Sequence, residues 1–480
     1  MFHKPFSQTL LVTAALAISS LAGCQSYERK HLDEAAASAA WIARSPSDES
    51  VRQFAERLAF VDGTVAPVFD PSDGLTLSEA EPVALVFNRN LRLARLEANV
   101  TRASFDFAGL WQDPVAGFDL ESIVGGVVNP WVVAGTVGIT LPISGRLEAE
   151  KAVAGAEYAD ALTALVAKEW ATRSALREMW LDWSAQTIRA ALAEEMVIRL
   201  RDVTKLAKWQ EEAGSLSRIE ARVFAVELAG READVTIAVA RATELELHLR
   251  DILGLAPEAP VQLIPLAIFK PRDIAPADLR AEMTEGNAEL AAVRSAYEVA
   301  EESLQLEIKK QYPDLAIGSG YLNDNGSGVL VGLSLPVPLW NRNQQGVAEA
   351  TANREVARAR FETTFEHLAS RLAIALTRYQ AGQAVRAALE HRVVPLADEQ
   401  DAEVRRVAAM GRVDPFLILT AIQAQHAAKV RLTDATAVES IGAVRLDELL
   451  GPLMLLQDTI LPDAILPIPK PDHPPEGNKL

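Results

Sequence analysis

The residues of this chain that could carry out chemistry are few and scattered. Cys24 is the only cysteine among 480 residues, so the chain has no internal disulfide. The seven histidines lie far apart, and none has a second histidine or a cysteine at metal-ligand spacing. The sequence contains no glycine-rich phosphate loop, zinc motif or nucleophile elbow. These observations indicate a protein that is not an enzyme, with no metal and no cofactor.

The chain begins with the features of a signal peptide. Lys4 precedes an apolar stretch from Thr9 to Ser20, which is too short to be a membrane helix. Leu21-Ala22-Gly23-Cys24 then resembles the bacterial lipobox, whose cysteine becomes the lipid-bearing N-terminus. Several acyl chains anchor a protein stably to a bilayer. We predict lipid attachment at Cys24, and an ordinary secretory signal is the alternative.

Composition excludes two other classes. The net charge of −18 argues against a nucleic-acid partner, because phosphates require clustered Lys and Arg. After the N-terminus no apolar run reaches about 18 residues, so no helix is expected to span a bilayer.

The chain contains an internal repeat with a period of about 195 residues. Two motifs recur in the same order: Val137–Ile143 reappears as Val331–Val337, and Asp251–Gly254 reappears as Glu448–Gly451. Gly214 and Gly411 each lie 40 residues before the closing glycine of their copy. Each copy therefore reads as helix, two strands, long helix, tight turn and long helix.

The strands show a period-two pattern. From Val133 to Ile143 the odd positions are mostly apolar, and the second copy repeats this alternation from Val329 to Val337. Partner strands are expected at Val115–Val124 and Leu315–Leu322. The smallest known membrane barrel has eight strands, and lipid cannot satisfy an open sheet edge. If these four strands lie in the membrane, the protein must form an oligomer.

The helices are unusually long and end in tight turns. No proline occurs between Arg146 and Ala256, and a helix from Arg146 to Gly214 would extend roughly 100 Å. A helix of that length needs a partner along it, as in a coiled coil. After Gly214, Ser217 and Glu220 form a capping box.

At the same offset after Gly411, Asp414 is an N-cap and Pro415 takes the first helical position. Both turns are therefore predicted to be helix–turn–helix hairpins.

Taken together, a lipobox, two repeats of strand pair plus long hairpin, and a Leu-Gly ending resemble the TolC-like outer-membrane efflux proteins. The run Leu75–Ala80 leading to Asn88-Arg89-Asn90 is similar to the start of that family's first repeat. The resemblance covers Leu75 to Gly451. It implies a homotrimer in the outer membrane whose twelve strands form one barrel, continued by a periplasmic tube of helices. It also implies two partners, a periplasmic adaptor and an inner-membrane pump.

The predicted fold class is mainly α with a small membrane β part, built as two structural repeats. The expected division is a signal peptide (1–23), an anchor segment (24–74), a first repeat (75–256), a linker (257–276), a second repeat (277–452) and a Pro-rich tail (453–480). The strands are placed at about 115–143 and 314–338, and the hairpin tips at about 213–217 and 410–415.

One stretch narrows the resemblance to a branch of the family. Leu335–Gly346 looks like the segment that follows the strands in the cobalt-zinc-cadmium-type proteins. Its counterpart in the first repeat, Pro142–Arg146, departs from that branch, where a Gly-Gly-Lys-Arg run is expected.

The candidate functional residues lie at the hairpin tips. The family closes the tube there with polar contacts, often a ring of Asp, but the corresponding position in this chain is Thr420. The candidates for closing the tube are Glu220, Arg412, Asp414 and Thr420, and the candidates for adaptor docking are Gly214, Leu216, Gly411 and Val413. Glu220 and Asp414 have a second reading, in which they only cap helices.

The sequence thus predicts a passive outer-membrane exit duct of a tripartite efflux system. Two alternatives stay open, a periplasmic coiled-coil adaptor and a structural lipoprotein. An adaptor normally has one hairpin flanked by lipoyl-like halves, and a structural coiled coil leaves the repeated strands unexplained.

Overall fold

The computed structural model describes residues 27–61, 69–122, 124–125, 131–271, 277–323, 327–410 and 414–452. Cys24, residues 411–413 and the tail 453–480 lie outside the described residues. The chain divides into two compact units, residues 1–44 and 45–480. The described part of the first unit contains helix α1 (Glu34–Ile42), where the Asp33 side chain accepts a hydrogen bond from the Ala36 N–H.

The second unit carries both repeats and is mainly helical with a small antiparallel sheet, as predicted. In this unit, helix α2 (Glu49–Val61) precedes the repeats. The first repeat comprises α3 (Leu77–Phe87), α4 (Arg89–Asp106), β1 (Val115–Ser122), β2 (Trp131–Leu141), α5 (Arg146–Glu212) and α6 (Arg218–Ile252). Its second repeat comprises α7 (Leu279–Gly286), α8 (Ala288–Lys309), β3 (Leu315–Asn323), β4 (Ser327–Ser334), α9 (Gln344–Ala388), a π turn (Leu389–Val393), α10 (Val394–Ala409) and α11 (Pro415–Leu450).

Helix α5 is the central helix of the fold. It runs for 67 residues without a proline, and at 1.5 Å per residue it is roughly 100 Å long. It packs against α6 of the first repeat and against α8 and α11 of the second, so it contacts helices of both repeats. It ends at Glu212, and Gly214 follows two residues later with a φ of +77°, in the left-handed region that favours glycine.

The four strands form a single antiparallel sheet in the order β1-β2-β3-β4. The central pair joins the two repeats, with Gly138 opposite Gly318 and Leu141 opposite Leu315. Because β1 and β4 lie at the outside of the described sheet, each has one edge without a strand partner there.

In the second repeat, the helix that corresponds to α5 is interrupted. The π turn Leu389–Val393 separates it into α9 and α10. Pro395 has no N–H to donate, and its ring would clash with the carbonyl four residues earlier. The Val394 N–H bonds instead to the Leu389 carbonyl, five residues back, which makes one turn of π-helix. The turn adds one residue to the second repeat between α9 and α10.

The linker between the repeats crosses both hairpins and is fixed by hydrogen bonds. The Trp180 indole N–H donates to the Ile264 carbonyl at 3.1 Å. The Leu266 and Phe269 N–H groups donate to the hydroxyls of Ser184 on α5 and Ser440 on α11. Trp180 itself is fully buried in the largest apolar core, between α3, α5 and α6. No described helix is both long and apolar enough to cross a membrane.

Candidate functional site

The first hairpin tip is closed by the predicted capping box. The Ser217 hydroxyl accepts from the Glu220 N–H at 3.3 Å, and the Ser217 N–H donates to the Glu220 carboxylate at 2.8 Å. The hydrogen bonds from Ser217 lower the pKa of Glu220. Gly214 and Glu220 are exposed, whereas Leu216 is half-buried and packs against the apolar cluster that contains Phe224. Leu216 is thus less accessible than the sequence suggests.

The second tip also begins with its predicted cap. Asp414 accepts from the Phe416 N–H at 2.9 Å, with Pro415 at the first helical position. The Thr420 hydroxyl donates to the Phe416 carbonyl at 2.8 Å, within its own helix. Gly411, Arg412 and Val413 lie outside the described residues. A capping bond is therefore in place at Asp414, and its role in closing a duct stays a prediction.

The two tips meet through a pair of phenylalanines that sequence analysis did not single out. The rings of Phe224 on α6 and Phe416 on α11 are 4.8 Å apart at an angle of 52°. Phe224 is buried in an apolar cluster near the tips that also contains Ala207 of α5 and Leu419 of α11. The contact joins the second turn of α6 to the first turn of α11.

Asp414 allows a test of its two roles at one position. Asp414→Asn should leave thermal stability nearly unchanged, since Asn caps a helix about as well as Asp. Asp414→Ala should lower the free energy of unfolding by about 1 kcal/mol. Thermal unfolding of both variants measures this. Altered channel conductance in Asp414→Asn would instead show a closing role for the charge.

A layer of ionic contacts joins the two hairpins above the tips. Arg199 on α5 donates to Asp401 on α10 and to Gln425 on α11. The Asp401 side chain is 1% exposed and also accepts from Arg405. Gln425 donates to Asp398 at 2.6 Å, which ties α11 back to α10. Arg199 thus connects the first hairpin to both helices of the second.

Two further contacts connect α5 and α11 above this layer. Arg189 lies 2.7 Å from Asp434, and Lys429 lies 3.4 Å from Glu195. Because the side chains of both pairs are half-exposed, each pair contributes less to stability than the Arg199–Asp401 pair, whose carboxylate is buried.

A second, more deeply buried ionic network lies at the upper end of the hairpins. Glu81 on α3 is 2.6 Å from Arg173 and 2.5 Å from Arg177 on α5. Arg177 also reaches Asp447 on α11 at 2.5 Å. The network therefore connects the two repeats. The guanidinium of Arg173 also stacks over the Trp170 ring at 5.1 Å.

Burial and pairing act in opposite directions on the carboxylates here. Burial alone would raise the pKa of Glu81, but Arg173 and Arg177 outweigh it and lower the pKa to about 2. Glu169 is also buried. Burial raises its pKa, and the charge of Arg95, its principal counter-charge, does not outweigh that effect. The Arg95 Nη1 atom has no hydrogen-bond partner in the described structure.

The low pKa of Glu81 predicts a pH-dependent contribution to stability. In the unfolded chain this group titrates near 4.5, so its contribution is complete above that pH and disappears as pH falls toward 2. The two pKa values correspond to about 3 kcal/mol at neutral pH. The free energies of unfolding of wild type and Glu81→Gln, measured with denaturant, should differ by an amount that shrinks between about pH 5 and pH 2. A pH-independent difference would contradict the ionic role.

Exposed aromatic side chains lie at both ends of the sheet. Trp111, Tyr312 and Trp340 are close in sequence to the ends of the strands that join the helices, and they are 57%, 59% and 87% exposed. Trp131 begins β2 at the opposite end and is 53% exposed. Among the described residues, no three His, Cys, Asp or Glu side chains gather as a metal site. The described residues thus form contacts between helices and an exposed aromatic surface at the sheet.

The comparisons with known proteins give one related sequence. The chain matches no protein-family model. It is 23% identical over 242 residues to the cobalt-zinc-cadmium resistance protein CzcC of Cupriavidus metallidurans. This match covers 50% of the chain and 58% of that protein.

The fold is shared with several solved structures. The outer-membrane channel OprN has a TM-score of 0.66 at 17% identity, with 89% of this chain and 98% of that chain covered. The outer membrane protein VceC of Vibrio cholerae has a TM-score of 0.65 at 16% identity, covering 79% and 97%. CusC, whose structures concern folding and transmembrane channel formation, has a TM-score of 0.66 at 16% identity, covering 78% and 92%.

Proposed function

On the premise that this chain has the fold of the TolC-like outer-membrane efflux channels, we propose that it is the passive exit duct of a tripartite efflux system. In this role it receives substrates from a periplasmic adaptor and an inner-membrane pump and releases them outside the cell. The supporting observation is the single four-stranded sheet at the end of two long, paired hairpins. A duct needs no catalytic group.

The sheet has the properties of part of a membrane barrel. Strand β2 has 11 residues, enough to cross an outer membrane when tilted. Apolar side chains on β4, such as Val331 and Leu333, are more than 70% exposed, as expected for a surface that meets lipid. The aromatic side chains at both ends match the girdles of such barrels.

Strand count supports an oligomer. Lipid cannot satisfy the free edges of β1 and β4, so copies of the sheet must close on one another. Two copies would supply eight strands and three would supply twelve. The resemblance favours three, and we propose a homotrimer.

The relationship to CzcC supports metal cations as the substrate class, with drugs as the other candidate. A strain without this protein should become more sensitive to cobalt, zinc and cadmium salts, and expression of the chain should restore growth. Increased sensitivity to drugs alone would reject the metal class and leave the duct in place.

The duct itself is tested by three measurements on the full chain. Membrane fractionation should place it in the outer membrane, native mass spectrometry in detergent should give three copies, and planar bilayers should show discrete conductance steps. A periplasmic adaptor or a structural lipoprotein would give no conductance. A folded single-chain species would also reject the proposal.

The anchor is tested by Cys24→Ser. Because Cys24 is the only cysteine, this change should remove the lipid and leave an unprocessed or merely secreted form. Metabolic labelling with palmitate measures it directly. Label retained on the variant would contradict attachment at Cys24.

A further inference from the structure

The apolar face of β4 continues beyond the end of the strand. Strand β4 ends at Ser334, but apolar residues at odd-numbered positions continue without a break into the segment that leads to α9. The six apolar side chains of this row are between 50% and 77% exposed: Val329, Val331, Leu333, Leu335, Val337 and Leu339. The last three lie beyond the strand, so membership of the sheet does not explain why they are apolar.

The connection from β4 to α9 is also longer than its counterpart. Four residues lead from β2 to α5 in the first repeat, whereas nine lead from β4 to α9 in the second. The longer connection contains Trp340, whose side chain is 87% exposed. Together with Leu335, Val337 and Leu339 it gives four exposed apolar side chains within six residues. A contiguous patch of this kind marks a surface that meets a partner or a membrane.

The connection is held in one shape. Arg342 and Asn343 have φ values of +44° and +50°, and among the described residues they are the only ones other than glycine in the left-handed region. That conformation is unfavourable for a residue with a side chain, so it persists where surrounding contacts impose it. Asn343 Nδ2 donates to the Glu307 carbonyl at 2.8 Å and to its carboxylate at 2.6 Å, and Arg342 Nε donates to the Pro338 carbonyl at 3.3 Å. Trp340 and Arg342 are thus presented on a fixed turn.

The backbone of the connection is suited to an apolar medium. A backbone N–H without an acceptor is costly in lipid. Pro336 and Pro338 have no N–H, and the Leu339 N–H donates to the Val337 carbonyl at 2.9 Å. Of these four consecutive residues, only Val337 and Leu339 carry an N–H, and that of Leu339 is already bonded. The segment therefore brings few backbone donors to the surface.

Positive charge adjoins the apolar row. Arg342 is exposed, and no acidic side chain in the described part of the chain pairs with it. Because Asn343 bonds to Glu307, Arg342 lies beside the C-terminal end of α8, where Lys309 and Lys310 are found. The carboxylate there, Glu307, is already bonded to Asn343 and Lys310. Tryptophan together with arginine or lysine is typical of surfaces at the headgroup level of a bilayer.

We propose that the segment Leu335–Arg342 binds phospholipid: Leu339 and Trp340 enter the bilayer just beyond the sheet, and Arg342 binds the phosphate of an anionic headgroup. This inference rests on the proposed outer-membrane duct, because the strands must lie in the bilayer for the segment to reach the headgroups. Continuity with the exposed face of β4 and complementary charge select lipid as the occupant. A neighbouring copy of the chain that covered the segment would instead keep lipid away from Trp340.

Quenching of Trp340 by brominated lipid tests the insertion. Full-length wild type and Trp340→Phe are reconstituted in vesicles of phosphatidylethanolamine and phosphatidylglycerol, with and without bromine on the acyl chains near the headgroup. The difference between the two emission spectra isolates Trp340, and brominated lipid should remove most of it, because quenching requires contact. Trp209→Phe is the matched control, since Trp209 is 65% exposed on α5 near the tip and its emission should survive.

The outcomes separate this segment from the duct. If the wild-type protein floats with the vesicles and conducts while the emission of Trp340 survives, the segment is covered by a neighbouring copy or lies in water. The lipid inference is then wrong and the duct stands. Equal quenching of Trp209 and Trp340 would also contradict it. If the protein neither floats nor conducts, the duct fails and this inference fails with it.

Arg342→Gln tests the headgroup contact independently. Native mass spectrometry of the full-length protein, taken from equal amounts of phosphatidylglycerol and phosphatidylethanolamine, measures which lipid is retained. Wild type should retain phosphatidylglycerol preferentially, and Arg342→Gln should lower that preference about fivefold, the effect of one basic residue near an anionic surface. Arg201→Gln, whose side chain is 54% exposed on α5, should leave the preference unchanged. A preference that is the same in wild type and Arg342→Gln would show that no headgroup is bound at Arg342.

Discussion

Arg177→Ala is expected to lower the free energy of unfolding by about 3–5 kcal/mol, the usual effect of removing one partner from a buried ion pair. Arg177 lies between Glu81 and Asp447, and all three side chains are about 90% buried. Removing the guanidinium weakens the compensation of two carboxylates in a low-dielectric site. It also breaks a connection between α3, α5 and α11. Chemical denaturation at neutral pH measures the loss.

The chain offers a matched control for this change. Arg201 on α5 pairs with Glu232 at 2.8 Å, but the two side chains are 54% and 45% exposed. Arg201→Ala should therefore change stability by less than about 1 kcal/mol. Arg177→Lys keeps the charge without the planar fork and should fall between the two. If Arg177→Ala behaved like Arg201→Ala, the buried network would not hold the repeats together.

Asp401→Asn is expected to favour an open duct, with a larger or longer-lived conducting state in planar bilayers. Asp401 accepts charge-assisted bonds from Arg199 and Arg405, and the Arg199 bond joins α10 to the first hairpin. Hydrogen bonds to charged groups contribute about 1.5–3 kcal/mol each. In a trimer the loss occurs three times at one level of the tube, so small changes in each copy add together.

The control for Asp401 is a carboxylate of α5 that pairs within its own helix. Asp202 pairs with Lys205 on the same helix, and both side chains are more than 70% exposed. Asp202→Asn should conduct like wild type. If Asp401→Asn also conducts like wild type and only unfolds at a lower temperature, the layer around Arg199 stabilises the hairpins without controlling the opening.

The two kinds of carboxylate in this protein show why the sequence could identify some sites and not others. Glu220 lies three residues from Ser217, so its hydrogen bond follows from local spacing alone. Asp401 lies 202 residues from Arg199, and nothing in the local sequence distinguishes it from neighbouring acids. A charge near its partner in sequence can be read directly, whereas a charge that meets its partner across helices needs the packing of those helices.

The same distinction applies to the strands and helices. Alternation and turn residues were enough to predict four strands, because each pattern is set by which side of a strand is apolar. That β2 pairs with β3 and joins the repeats into one sheet depends on contacts far apart in sequence.

The sequence alone determined the repeat, the length of α5, and the caps at Ser217 and Asp414. The caps depend on residues within one turn of one another, and the repeat and the helix depend on patterns that can be read along the chain without knowing which residues meet in space. The tertiary structure alone decided which face of α6 packs against α5, where Pro395 produces a π turn, and which arginines bridge the repeats. These features depend on burial and on distance through space, which sequence spacing does not specify.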